Sequence, residues 1–183
     1  MRRAKILKRL ARLGAAARSD QRGVAAIEFA VFGSFLSIAM LNVTDVSIYI
    51  YQRMQVENAT EVAAQAAYKT CDTSMLPATV NCPGLTTAIQ NSLQSSSLGT
   101  RVTLQANSPS EGYYCINSSN ALQFVSDVSS KPADCTAAGM PSLQPGDYIQ
   151  VQTTFSYTPL FPGITVTNAF STPILRKAMM RLG

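Results

Sequence analysis

The sequence predicts an α+β protein: a long N-terminal helix whose first half spans a membrane, then a small antiparallel β-rich domain stapled by disulfides. Three observations support this fold class. A hydrophobic run begins abruptly after Gly23 and carries no charge from Phe29 to Thr44. Helical spacing of apolar and small residues continues to about Lys69. The rest of the chain alternates apolar and polar residues in short runs and contains all four cysteines.

The net charge of +5 comes from the N-terminal leader. Its 23 residues hold eight Lys or Arg and one acid, whereas the remainder carries seven basic and nine acidic residues. The remainder is therefore slightly acidic, and we expect no nucleic-acid partner. Histidine is absent, which removes the usual zinc ligand and the commonest general base. No nucleophile-elbow or Ser-x-x-Lys pattern occurs, so we expect no enzyme, no cofactor, no metal and no small-molecule substrate.

Residues 1–23 are interpreted as a basic cytoplasmic leader that lies at the membrane surface. Its Leu and Ile residues share one face of a helix, with Arg and Lys on the rest. A transit peptide and a twin-arginine signal built on Arg2 and Arg3 are alternative interpretations. Neither explains why the hydrophobic run starts directly after Gly23 and carries Glu28 inside it. The cationic flank predicts that the N-terminus lies in the cytoplasm.

Residues 24–70 are predicted to form one long helix. A span needs roughly 20 mostly apolar residues, and the uncharged stretch 29–44 reaches that length with either 24–27 or 46–50 added. Residues 45–70 contain no Gly or Pro and repeat apolar or small side chains on one face. This spacing predicts a helix of roughly 70 Å, with its first half in lipid and its second half packed against a domain.

Residues 71–183 are predicted to form an extracytoplasmic α+β domain. Residues 85–93 have the spacing of a short amphipathic helix. The clearest strand runs from Ile149 to Tyr157, and a second alternation runs from Ile164 to Phe170 after the turn at Pro162-Gly163. Weaker strand candidates are residues 101–106, 113–116, 121–125 and 174–180.

The four cysteines predict disulfides in an oxidising compartment, because their number is even and all lie on one side of the membrane segment. Four cysteines permit three connectivities. The nearest-neighbour scheme would join Cys71 to Cys82 and Cys115 to Cys135, and each such loop would stabilise the domain by about 3 kcal/mol. We do not expect zinc binding, since the sequence has no C-x-x-C spacing and no histidine.

The acidic residues of the domain are interpreted as surface charges, because none has the spacing of a calcium loop. These acids are Glu111, Asp127, Asp134 and Asp147. Three aromatic residues, Tyr113, Tyr114 and Phe161, are interpreted as core rather than as an adhesive patch.

The motif that carries most information is Arg22-Gly23-Val24-Ala25-Ala26-Ile27-Glu28-Phe29. A carboxylate near the start of a membrane helix is costly unless it is paired. A cut after Gly23 would create a cationic α-amine at Val24, which Glu28 of a neighbouring subunit could neutralise. Glu28 could also lie in the headgroup layer, where a helix N-terminus favours an anion.

With this motif the sequence resembles the type IV prepilins, and specifically the TadE/TadF-like pseudopilins of the tight-adherence (Tad, or Flp) pilus system. The likeness covers about residues 23–68, including the Asn-Ala stretch at 55–59, and more loosely the final strands. In that family an aspartyl prepilin peptidase cuts after the Gly. The resemblance therefore implies a pilin-like fold, a cleavage site between Gly23 and Val24, and a processing and subunit-register motif at Glu28 and Phe29.

The resemblance also implies a function: a minor pilin that acts in pilus assembly, initiation or tip adhesion. The expected partners are the prepilin peptidase, other Tad pilins and pseudopilins, the pilus assembly platform and the membrane. The expected location is the bacterial inner membrane, crossed once, with the C-terminal domain in the periplasm and the mature chain in the extracellular pilus after assembly. The alternative is an uncleaved, inner-membrane-anchored periplasmic binding or assembly module of a secretion system.

Overall fold

A computed structural model describes residues 21–183, so the leader interpretation for residues 1–20 lies outside the described residues. Helix α1 (Gln21–Thr70) is continuous over its whole length. At 1.5 Å per residue it is roughly 75 Å long. The absence of Pro and the scarcity of Gly in this range allow one uninterrupted hydrogen-bond ladder. The long apolar N-terminal helix is therefore confirmed.

After α1 the described chain forms two further helices and five strands. The helices are α2 (Ala78–Asn81) and α3 (Leu85–Gln94). The strands are β1 (Val102–Leu104), β2 (Ser110–Ile116), β3 (Leu122–Asp127), β4 (Gly146–Phe155) and β5 (Ile174–Arg181). Short 3-10 turns occur at Thr73–Met75, Gly99–Arg101, Thr136–Ala138 and Val166–Ala169.

Strand β4 is the centre of a single antiparallel sheet. Strand β5 pairs along one side of it, from Tyr148 opposite Arg181 to Phe155 opposite Ile174. On the other side, β2 pairs with the first half of β4 and β1 with its last residues, while β3 lies outside β2. A long helix, a small antiparallel sheet and two disulfides together confirm the α+β fold class.

The core lies between one face of the sheet and the helices α1 and α3. Alternate residues of β4 are buried, among them Ile149, Val151 and Phe155, which belong to one apolar cluster with Val56 of α1 and Ile89 of α3. This alternation is what the sequence pattern predicted for a strand with one buried face. The second half of α1 is consequently part of the core of the domain.

The strand predicted for residues 164–170 is wrong. Val166–Ala169 form a 3-10 turn inside a long connection between β4 and β5. The alternation of apolar residues with threonine resembles a strand, but the hydroxyls of Thr165 and Thr167 turn inward and lie 3.0 Å apart. Both threonines are buried, whereas Val166 between them is exposed. The threonine hydroxyls therefore have partners inside the protein, and this segment does not form the predicted hydrogen bonds to a neighbouring strand.

The remaining strand predictions agree with the structure in position, although their ends differ by several residues. Strand β2 begins at Ser110 rather than Tyr113, and β1 is shorter than the predicted range 101–106. The predicted short helix is present as α3. Gly84, with a φ of 85°, directly precedes it, a left-handed conformation that glycine adopts without steric cost.

Candidate functional site

The predicted cleavage and register residues lie on an uncovered part of α1. Val24 and Phe29 are exposed, as is Glu28, and a Cβ added at Gly23 would meet nothing within 4 Å. Val24 and Glu28 are four residues apart and therefore share one face of the helix. Among the described residues, Glu28 forms no salt bridge. All four residues are thus accessible to another protein chain.

The uncovered part of α1 extends from residue 24 to residue 40, where every residue except Gly33 is exposed. Many of these side chains are large and apolar, including Phe32, Phe35 and Met40. Within the described range, Gly23–Thr70 is the one helix long and apolar enough to cross a membrane, with a mean hydropathy of 2.1 in its most apolar window. Such a surface is costly in water, and this length and composition suit a single-pass membrane protein.

Burial begins where α1 meets the connection between β4 and β5. We call residues 158–172 of this connection the junction loop. The side chain of Asn42 accepts a hydrogen bond from the backbone N–H of Val166 at 2.8 Å and donates one to the carbonyl of Ile164 at 3.3 Å. Further along the helix, the hydroxyl of Tyr49 donates to the carbonyl of Ser171 at 3.2 Å. The loop therefore follows the helix over about two turns.

Asp45 is the buried centre of this contact, with no exposed surface. The hydroxyl of Tyr157 donates to Oδ1 at 2.8 Å, the backbone N–H of Leu160 donates to the same oxygen at 3.0 Å, and the hydroxyl of Thr167 donates to Oδ2 at 3.0 Å. The Thr165 hydroxyl lies 3.0 Å from that of Thr167. Convergent donors of this kind favour an ionised carboxylate and offset its burial.

Sequence reasoning missed Asp45 and Asn42 as structural residues. Both were visible as polar residues near the end of the uncharged helix, but their partners lie more than 100 residues away in the chain. The signal that could have revealed them is the pair of inward threonines after Pro162-Gly163. Thr165 and Thr167 alternate with the apolar Ile164 and Val166, and two hydroxyls on the face opposite the apolar residues indicate an internal polar partner.

The interpretation of Asp147 as a surface charge is wrong. Its side chain is only 4% exposed, and neither carboxylate oxygen has a hydrogen-bond partner among the described residues. Burial and the negative charge of Glu111 raise the pKa of Asp147 to about 7, which the positive charge of Lys131 partly counters. The two acids are diagonal neighbours on β2 and β4, because Tyr113 pairs with Asp147 and Glu111 lies two residues before Tyr113.

Glu111 of β2 connects the sheet to the segment after α1. Its carboxylate accepts hydrogen bonds from the backbone N–H groups of Ala78 at 2.7 Å and Thr79 at 2.6 Å, and from the hydroxyl of Thr79 at 2.6 Å. These are the free N–H groups at the start of α2. Glu111 is therefore half-buried, and both of its carboxylate oxygens are bonded to the start of α2.

Of the other two acids, Asp127 is exposed and Asp134 is half-buried, and both cap turns. Asp127 accepts a hydrogen bond from the backbone N–H of Ser129, and Asp134 accepts one from that of Thr136. These contacts lower the pKa of each carboxyl. Within residues 21–183, no group of three or more His, Cys, Asp or Glu side chains could hold a metal ion.

The structure joins Cys71 to Cys82 and Cys115 to Cys135, which is the nearest-neighbour arrangement. Cys71 is part of the main core and fastens the end of α1 to α2. Cys115 and Cys135 form a separate small cluster with Ala138. The two disulfides therefore hold two different parts of the domain.

Of the three aromatic residues predicted in the core, Tyr113 is buried, while Tyr114 and Phe161 are half-buried. Tyr114 packs edge-on against Phe124 and Tyr148, on the side of the sheet opposite α1. Tyr114 therefore helps to cover the outer face of the sheet.

Comparison with protein-family models, with curated proteins and with solved structures finds no match to this chain.

Proposed function

We propose that this chain is a pseudopilin, or minor pilin, of a Tad (Flp) type IV pilus, and that a prepilin peptidase cleaves it after Gly23. The observation that carries the proposal is the sequence Gly23-Val24 followed by Glu28 and Phe29 at the start of a helix that is uncovered for its first half. The resemblance to TadE/TadF-like pseudopilins rests on the same residues.

The accessibility of this segment supports processing in the membrane. A peptidase must reach the bond between Gly23 and Val24, and no side chain of the described residues lies near Gly23. The missing Cβ leaves room for close approach to the backbone there. The bulky domain begins to cover α1 only at residues 41 and 42, roughly 25 Å further along the helix axis, so it leaves the bond clear.

The position of Glu28 supports a role in assembly. After cleavage the new amine of Val24 carries a positive charge, and apolar side chains surround Glu28 on the helix. Two opposite charges in a medium of low polarity attract strongly. Pairing the amine of one copy with Glu28 of a neighbour would fix the axial register of helices that otherwise offer only apolar packing.

The size of the ectodomain supports a minor rather than a principal subunit. A domain with five strands and two disulfides sits on one end of α1, and it is much wider than a helix. Such a subunit fits the tip of a fibre or an initiation complex more easily than the repeating body of a fibre. Its partners would then be other pilins, the peptidase and the assembly platform in the inner membrane.

The test is the intact mass and N-terminal sequence of the protein purified from host membranes, for the wild type and for Gly23→Ala. We expect a mature chain that begins at Val24 and an unprocessed chain for the variant. Gly33→Ala is a matched control, because this second helix glycine also has open space around it. Both substitutions favour the helix, so misfolding does not explain a selective loss of processing.

A second measurement separates processing from assembly. Glu28→Ala and the control Glu61→Ala each remove an exposed acid from α1. We expect both to be cut, but only Glu28→Ala to be lost from sheared pili or from crosslinked pilin complexes. An uncut wild-type chain beginning at Met1 would contradict the proposal and favour an uncleaved membrane-anchored assembly module.

A further inference from the structure

We infer that the junction loop, residues 158–172, inserts its exposed aliphatic residues into the outer leaflet of the membrane beside α1. These residues are Leu160, Ile164 and Val166, and through them the domain contacts the bilayer at a second place. The inference rests on the membrane span that the proposed function includes. The partner is the boundary between lipid headgroups and acyl chains. Three observations on the loop and the helix carry it.

The first observation is the length of α1 that the domain leaves uncovered. A helix needs roughly 20 residues to cross the hydrocarbon, and counting from Val24 places the end of the span near Val43. The junction loop already bonds to Asn42 through Ile164 and Val166. The loop and the end of the span therefore lie at the same depth, and the helix is too short to hold the loop clear of the lipid.

The second observation is the composition of the loop. No charged residue occurs between Tyr148 and Leu175. Leu160, Ile164 and Val166 are each more than half exposed. Three exposed aliphatic side chains on one uncharged loop cost free energy in water, whereas the same side chains are stabilised in the acyl region.

The third observation is that polar groups beside the exposed aliphatic residues of the loop have partners on α1. The backbone N–H groups of Leu160 and Val166 donate to Asp45 and Asn42 of α1. The buried hydroxyl of Thr167 also donates to Asp45. Backbone at membrane depth is tolerated only when its polar groups have partners in the protein. Asn168, Ser171 and Thr172 are exposed polar residues nearer to β5. Around Leu160, Ile164 and Val166, however, aliphatic side chains face outward while neighbouring polar groups bond to α1, which is the arrangement of a surface that faces lipid.

These contacts also give Asp45 a reason to be buried at this position. Its carboxylate lies two residues beyond the predicted end of the span, where an unpaired charge would be expensive. Asp45 is fully buried, and the loop supplies two of its donors, Leu160 and Thr167, while Tyr157 just beyond the end of β4 supplies the third. The carboxylate organises the loop, and the loop shields the carboxylate from the acyl chains.

The experiment uses tryptophan fluorescence, because the chain contains no tryptophan of its own. Leu160→Trp reports on the loop. Phe35→Trp reports on the span, and Phe124→Trp on a part of the sheet remote from α1. The replaced side chains are 57%, 75% and 55% exposed, so none is needed for the core. The full-length variants are placed in lipid nanodiscs at one copy per disc. Bromine atoms near the upper end of the acyl chains are the quenchers for the loop and sheet variants, and bromine atoms near the middle of the bilayer are the quenchers for Phe35→Trp.

We expect the Leu160→Trp emission to be blue-shifted and quenched several-fold more than that of Phe124→Trp. Ile164→Trp, at a second exposed loop position, should behave like Leu160→Trp. This second variant shows whether the result depends on a distortion caused by one substitution. If Phe35→Trp is quenched but both loop variants match Phe124→Trp, the loop lies in water and the inference is wrong, while the membrane span stands.

Two other outcomes separate the remaining explanations. If Phe35→Trp escapes quenching as well, the span itself is wrong and the inference falls with it. If the loop variants shift only in discs that hold several copies, the loop contacts a second copy of this chain rather than lipid, and the inference is again wrong. Quenching that is independent of copy number supports contact with lipid.

Discussion

The hydroxyl of Tyr157, just beyond the end of β4, donates a hydrogen bond to the Asp45 carboxylate of α1 across 2.8 Å, and it also reaches the Asp45 carbonyl at 3.2 Å. The ring of Tyr157 packs edge-on against Tyr49, one helix turn above Asp45. Sheet, loop and helix therefore meet at a single buried carboxylate. Several consequences of this contact can be measured.

Asp45→Ala should lower the free energy of unfolding by about 3 to 5 kcal/mol, because it leaves several buried donors without an acceptor. Asp45→Asn keeps the shape and one carbonyl oxygen, so its loss should be smaller. Denaturant unfolding of the full-length protein in detergent would measure both values, and hydrogen exchange of residues 158–172 would show where protection is lost.

Asp72→Ala is the control for this series. Asp72 is an exposed acid beyond the end of α1 that caps a short turn, so removing it should cost much less. If Asp45→Ala were no more destabilising than Asp72→Ala and the junction loop kept its protection, Asp45 would not organise the loop.

The helix and the sheet are also joined by two buried threonines, and their substitution should have unequal effects. The Thr60 hydroxyl donates its only proton to the carbonyl of Val56 at 2.6 Å. The Thr153 hydroxyl, 2.6 Å away, must therefore donate to Thr60. Thr60→Val leaves the Thr153 proton without an acceptor and should cost about 1 to 3 kcal/mol. Thr153→Val should cost less.

A double-mutant cycle checks this assignment. With both hydroxyls removed, no unpaired donor remains, so Thr60→Val/Thr153→Val should be less destabilising than the sum of the single variants. Unfolding free energies of the four proteins, measured under one set of conditions, give the coupling. Equal single losses that simply add would mean that the two hydroxyls do not interact.

Asp147 should make stability depend on pH. Its pKa in the folded protein is raised to about 7 from an ordinary value of 3.8, so between these values the folded state binds more protons than the unfolded state. The stabilisation is therefore complete below about pH 4 and is lost as the pH rises through 7. Asp147→Asn should flatten the profile of unfolding free energy over this window.

Asp134→Asn provides the comparison for that profile. The pKa of Asp134 is lowered rather than raised, so its contribution changes at lower pH. Its substitution should leave the slope between pH 4 and pH 7 as in the wild type. A wild-type profile that is flat across this window would exclude the proposed titration of Asp147.

The two disulfides should differ in how far the effect of their removal spreads. Replacing Cys71 and Cys82 by Ser removes a link in the main core and should lower the free energy of unfolding by about 3 kcal/mol, with faster hydrogen exchange throughout the domain. Replacing Cys115 and Cys135 affects a separate cluster. In this second variant, hydrogen exchange should become faster mainly in residues 116–145. Equal spreading in both variants would show that the domain opens as one unit.

The regular elements with local patterns could be predicted from the sequence. Residues 45–70 carry no helix breaker and bury a stripe at helical spacing, so α1 followed directly from the chain. Ile149 to Phe155 alternate because one face of β4 meets the core. In both cases neighbouring residues along the chain carry the whole signal.

The parts that could not be predicted depend on distant partners. The Thr165 and Thr167 alternation was mistaken for a strand because nothing near it in the chain shows that Asp45 accepts the hydrogen bond of Thr167. Asp147 was placed on the surface because an acid is rarely buried without a partner. Its burial follows from the pairing of β2, β4 and β5, which a single sequence does not reveal.

Helix α1 continues without a break from its uncovered apolar half into the core of the domain, and this continuity has a mechanical consequence. Because Val56, Ala59 and Ala63 are core residues of the domain, a pull along the helix axis would load the whole helix–sheet interface in shear. A domain tied to its anchor by a flexible linker would instead swivel freely and take the load at one point. Any tension on the uncovered end of α1 would thus be transmitted stiffly, along a single helix, to the surface that the domain presents.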